Sequence, residues 1–109
     1  MTTRIMYIER KAGELTGSAR IGRVTFSKNR KTLFYRGNQF RSLHGRGFKA
    51  NFYEVESKEE YWISGCRQDG QDRLYGERRP VEIDDDVREE YWITIRKRPE
   101  NKSAKIANS

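Results

Sequence analysis

Between Arg4 and Ser64 the longest apolar run is Ile5-Met6-Tyr7-Ile8, and turn-forming residues interrupt the chain every few positions. Such a pattern leaves no room for a long helix in this region. It encodes short strands joined by tight turns. The Ile5–Ile8 run predicts a strand over residues 4–10, buried on both faces near its middle. Val24 and Phe26 alternate with Arg23, Thr25 and Ser27, which predicts a half-buried strand. Gly22 is expected to mark a bulge in it. Ser27-Lys28-Asn29-Arg30 predicts a hairpin turn with Asn29 at the positive-φ position. A strand over 31–36 then carries Leu33 and Tyr35 on one face, and Arg30, Thr32, Phe34 and Arg36 on the other. Gly37-Asn38 turns the chain into a strand over 39–43, and His44-Gly45-Arg46-Gly47 reads as a flexible basic loop. Strands over 48–56 and 59–64 pair about Ser57-Lys58. Residues 65–76 form a polar loop, and Val81–Ile83 a last short strand.

A helix follows at about 84–98. Asp84, Asp85 and Asp86 supply an N-cap and an acidic first turn, which suit the helix dipole. Val87, Tyr91 and Ile95 form an apolar stripe, and Pro99 ends it. Residues 100–109 are polar and aperiodic and are expected to be a disordered tail. The fold class is therefore mainly β (α+β): a small SH3-like barrel, or a strongly bent antiparallel sheet, with one C-terminal helix. Only 34% of the 109 residues are hydrophobic, so residues 1–99 are expected to form one domain with a small core.

Charge is segregated along this pattern. From Leu15 to Tyr53 there is no Asp or Glu, nine Lys or Arg and seven aromatic rings, a net +9; residues 54–95 sum to −7. A one-signed surface repels itself, so a polyanionic partner is the first reason to consider for the basic half. The competing reading is that the bases only keep a β protein soluble and blunt its sheet edges. The interleaved rings favour nucleic acid, RNA or single-stranded DNA, because cations neutralise phosphates while rings stack on unpaired bases. Arg23, Arg30, Phe34, Arg36, Arg41, Arg46 and Lys49 are the candidate contacts. The alternative is a protein-interaction module, such as a bacterial immunity or regulatory protein, in which Trp62 and Trp92 would be partner-binding.

Nothing in the sequence argues for catalysis. His44 is the one histidine and Cys66 the one cysteine. The first reads as a surface or phosphate-contact residue and the second as a small residue in a turn. Asp69-Gly70-Gln71-Asp72 lacks calcium-loop spacing and reads as a turn whose carboxylates cap backbone N–H groups or pair with Arg67 and Arg73. No metal or cofactor is expected. The N-terminus has no apolar signal core and no run suits a bilayer, so a cytoplasmic location without membrane contact is expected.

The stretches E-R-K-A-G (9–13), I-G-R-V-T-F-S-K (21–28), G-F-K-A-N (47–51), E-E-Y-W-I-S-G (59–65), D-G-Q-D-R-L-Y-G (69–76) and V-E-I-D-D-D-V-R-E-E-Y-W (81–92) resemble a family of small bacterial proteins without an assigned activity. Members of that family often carry the label deoxyxylulose-phosphate synthase. The resemblance implies a bacterial origin and one compact domain. The synthase label implies a much longer chain with a thiamine diphosphate site, and no diphosphate cradle or metal motif is present here.

Overall fold

Among the described residues seven strands are hydrogen-bonded into one sheet. The computed structural model of the protein describes residues 2–11, 17–43, 50–73 and 79–107. The strands are β1 (Thr2–Arg10), β2 (Ala19–Phe26), β3 (Thr32–Tyr35), β4 (Asn38–Ser42), β5 (Phe52–Glu54), β6 (Glu60–Gly65) and β7 (Val81–Ile83). Their order is β1-β6-β5-β4-β3-β2-β7, and because β1 pairs with both β6 and β2, strands β1–β6 close into an antiparallel barrel. The extra strand β7 runs parallel to β2. A mainly β, SH3-like barrel with a short C-terminal helix is thus the observed architecture.

Closure gives the barrel an interior and an outer wall, and the alternation of side chains assigns residues to each. The interior holds Met6, Ile8, Val24, Phe26, Leu33, Tyr35, Phe40 and Ile63, with Phe52 and Tyr61 packed at its margin. Phe40 and Tyr61 meet edge to face at 4.8 Å. The opposite faces of β1 and β2 carry Ile5, Tyr7, Ala19 and Ile21, which form a second core with β7 and the helical segment. The Ile5–Ile8 run is buried on both sides because it feeds both cores.

The helical segment departs from the expected regular helix over 84–98. It begins as a 3-10 turn (Asp85–Val87), passes through one α turn (Arg88–Glu90) and ends as a π turn (Tyr91–Ile95). Tyr91 and Trp92, which open the π turn, are both buried in the core with their rings 5.2 Å apart. The backbone then takes a left-handed step at Lys97 (φ 57°) before Pro99.

The expectation of a disordered tail over 100–109 is corrected as far as Ala107. After a 3-10 turn (Pro99–Asn101), Ile106 bridges to Glu82 at the free edge of β7. Ile83 N donates to Lys105 O (2.8 Å) and Ala107 N to Val81 O (2.8 Å). Backbone pairing on an open edge needs no apolar periodicity, so side-chain pattern alone does not reveal it. The anchors are small: Ala107 is buried, and the Trp92 indole N–H donates to Ala104 O at 2.9 Å. Arg96 lies 4.8 Å from the Trp92 ring and donates to Ala107 O.

Two turn assignments also change. Gly22 pairs in unbroken register with Met6, so it marks no bulge. In the β2–β3 turn Arg30, not Asn29, has positive φ (59°). Asn29 instead uses its side chain, whose Oδ1 accepts from Ser27 Oγ and Lys31 N.

Truncation after Asn101 is expected to remove the four hydrogen bonds described above, which tie the segment to β7, Trp92 and Arg96, and to uncover Trp92, lowering stability by roughly 2–4 kcal/mol at about 1 kcal/mol per bond. Urea unfolding and a red shift of tryptophan emission check this; an unchanged midpoint would show that the segment does not hold the core.

Candidate functional site

β3 and β7 share one edge of β2. The ladder to β7 stops at Ile21 and the ladder to β3 starts at Thr25, so the edge is unpaired by strands between them. Asp84 fills this fork. Its N–H donates to Ile21 O, and its carboxylate accepts from the Tyr35 hydroxyl (2.6 Å) and Arg20 Nε (2.7 Å). Arg36 Nε approaches to 4.0 Å. A Cβ on residue 22 would lie 2.5 Å from both Asp84 Oδ2 and Tyr35 Cε1, so glycine there admits the pair. Burial, then the bond to Asp84, pushes the Tyr35 phenol up. Asp84 sits at the N-cap position, but its side chain makes no capping bond. Its role in joining β2 to β3 replaces the expected helix-cap role.

The same side of the molecule neutralises further bases. Arg20 also meets Glu82, and Arg23 meets Glu90 at 3.0 Å. A cleft of about 420 Å³ is lined by Arg20, Arg23, Tyr35, Arg36, Asp84, Asp85 and Asp86, with cations matched by carboxylates. Arg23 and Arg36, two of the expected nucleic-acid contacts, therefore lie in the neutralised zone.

The far end of β2 and β3 is different. Lys28, Lys31 and Arg41 are exposed and make no ion pair among the described residues. The Arg30 guanidinium lies 5.7 Å from the Phe26 ring centroid. Cross-strand register sets Thr32, Arg41 and Tyr53 in one row, with Phe34 opposite Gln39 in the next. Phe34 and Tyr53 thus share the outer wall, their Cα atoms roughly 12 Å apart by strand spacing. Phe34 is 37% exposed, and Lys58 Nζ lies 5.7 Å from the Tyr53 ring centroid. A hollow of about 380 Å³ is lined by Asn29, Lys31, Thr32, Arg41, Ser42, Leu43 and Tyr53, none of them acidic. Glu60 is opposite Tyr53 on β6, on the side away from Arg41.

The expected trio Arg30, Phe34 and Arg36 does not share one face. β3 spans only Thr32–Tyr35, and the two arginines occupy turns at its opposite ends, both with left-handed backbone. Arg46, Lys49 and His44 lie outside the described residues. Trp62 is half-buried against the core beneath the helical segment, and Trp92 is buried within it. Neither tryptophan is a bare surface ring. Lys31 and Tyr53 lie outside the expected contact set; alternation with the inward Phe52 is the signal that marks Tyr53 as outward.

Other groups are engaged structurally. Cys66 is half-exposed as a residue, yet its thiol points at Ile5 O (3.7 Å), and burial pushes its pKa up. In the polar loop Asp69 Oδ1 accepts from Gln71 N, and Asp72 Oδ1 from Arg67 N. Arg73 reaches across instead to Glu9 (3.4 Å), which also accepts from Tyr7, Lys11 and Gly17 N. Among the described residues no group of His, Cys, Asp or Glu is arranged to hold a metal ion, and no helix is long and apolar enough to cross a membrane. Comparison of the chain with family models, curated proteins and solved structures gives no match.

Glu9 sets an acid limb. Burial would raise its carboxyl, but the bonds from Lys11, Tyr7 and Gly17 outweigh this and hold it below the usual range. Its contribution is therefore present above the unfolded value of 4.5 and is lost as pH falls through the lower folded value. Glu9→Gln should be less stable than wild type by about 3–5 kcal/mol near neutrality, with the gap closing under acid. Urea titrations across pH measure it; a gap independent of pH would exclude Glu9 as the titrating group.

Proposed function

We propose that the protein is a non-enzymatic module that binds single-stranded nucleic acid through the outer wall of β3, β4 and β5. The observation that carries this reading is the uneven neutralisation of the basic half. The acidic segment covers Arg20, Arg23 and Arg36, whereas Lys28, Lys31 and Arg41 stay without ion pairs among the described residues beside two accessible rings. Leaving cations unmatched does not help the fold, since they repel one another. Cations with rings between them are what an unpaired strand requires: Lys31, Arg41 and Lys58 for phosphates, Phe34 and Tyr53 for base faces. A duplex reader would instead need an element that enters a groove, and this wall is a curved sheet. The reading goes with a cytoplasmic location and with a non-enzymatic role.

Fluorescence anisotropy with labelled single-stranded RNA and DNA over a salt series tests it. Phe34→Ala and Tyr53→Ala should each weaken binding by roughly 1–3 kcal/mol with the salt slope unchanged. Lys31→Ala and Arg41→Ala should each flatten the slope by up to about 0.7. Arg23→Ala, on the neutralised side, should leave affinity nearly unchanged. Wild-type binding no tighter than about 10⁻⁴ M at physiological salt would overturn the proposal.

A further inference from the structure

The hollow between the β2–β3 turn and the end of β4 has a chemistry narrower than that of a general strand-binding wall. Its polar lining is dominated by donors. Asn29 is oriented by two bonds, since its Oδ1 accepts from Ser27 Oγ (2.8 Å) and from Lys31 N (3.0 Å). The backbone N–H can only donate, so the amide oxygen is identified without ambiguity, and the NH2 is the end left to meet a ligand. Ser27 is itself held, accepting from Thr32 N at 3.2 Å, so the turn carrying Asn29 is braced rather than loose. Lys31 and Arg41 add two cations without ion pairs among the described residues, and Thr32 adds a hydroxyl. Among the described residues no carboxylate lines the space, whereas the similar-sized cleft at Asp84 has three. Tyr53 and Leu43 give it an apolar flank.

Two unmatched cations with an oriented amide and a hydroxyl suit a dianion better than a monoanion. An internal phosphodiester carries one charge; a phosphate monoester carries about −1.5 to −2 near neutrality, with a second pKa of about 6. A ring flanking the donors adds a surface for the adjoining base. We infer that this hollow binds the terminal phosphate monoester of a single nucleic-acid strand, with Asn29, Lys31 and Arg41 on the phosphate and Tyr53 against the last base. The inference rests on the single-strand reading above and specifies where the strand ends.

The test is anisotropy with internally labelled oligothymidylates that bear a 5′-phosphate, a 3′-phosphate or neither. One phosphorylated form should bind about tenfold more tightly than the unphosphorylated strand, a typical gain for added charge-assisted bonds. The preference should shrink between about pH 7.5 and pH 5.5 as the monoester takes up its second proton. Asn29→Asp keeps an acceptor for Ser27 and Lys31 N, and so keeps the turn, while it opposes an anion. It should abolish the preference with an unchanged circular dichroism spectrum. Lys31→Ala with Arg41→Ala should do the same. Equal binding of all three strands would overturn this inference and leave the strand-binding proposal standing. Failure of every strand to bind would remove both. A preference that survives in Asn29→Asp would put the phosphate elsewhere. Thymidine monophosphate competing as well as the phosphorylated strand would make the ligand a free nucleotide. A phosphoserine peptide binding as tightly would make it a phosphoprotein.

Discussion

The carboxylate of Asp84 is the buried charge through which the acidic half of the chain grips the basic half. It lies where β3 and β7 part from β2, and it accepts from Arg20 and Tyr35. A buried charge is tolerated only when it is paired and hydrogen-bonded, so neither partner is dispensable. The pair also explains an otherwise unfavourable glycine inside β2, since any side chain at Gly22 would collide with it. From this point the acidic half of the chain spreads over the basic half on one side: Glu82 on Arg20, Glu90 on Arg23. The opposite end of the same strands receives no such cover from the described residues.

A chain with so little apolar sequence manages two cores because β1 and β2 serve both. Their inward residues fill the barrel and their outward residues support the helical segment. The second core is closed by small contributions rather than by one long helix. Trp92 is capped by a carbonyl of the C-terminal segment, and Arg96 spans Tyr91, Trp92 and Ala107. Burial pushes the Tyr91 phenol up to about 12, the expected cost of a hydroxyl held in this core. Gly70, with φ 76°, gives the Arg96 guanidinium room that a side chain would fill.

Strand positions were legible because period-two alternation and turn residues mark them locally. The Ile5–Ile8 run, the inward Leu33 and Tyr35, and the stripe Val87–Tyr91 all follow from such short-range patterns. What was not legible depends on contacts far apart in sequence. Asp84 looks like a helix cap until Tyr35 and Arg20 are brought to it. The segment after Asn101 looks disordered until the edge of β7 is available to it. Site residues divide the same way: Phe34 is on the outer face, where the alternation with Leu33 and Tyr35 puts it. Arg23 and Arg36 met carboxylates that only the fold could deliver. Tyr53 is brought to Thr32 and Arg41 by cross-strand register, and the β2–β3 turn sets Asn29 and Lys31 around the same hollow.

Among the described residues one basic sequence is divided into a neutralised end and an open end. Backbone amide shifts mapped by NMR while a single-stranded oligonucleotide is added test this division most directly. The account predicts perturbations gathered at residues 28–34, 39–43 and 53, with residues 20–23 and 82–90 nearly silent. Perturbations centred on the Asp84 fork or on the helical segment, with the β3–β5 wall silent, would contradict it.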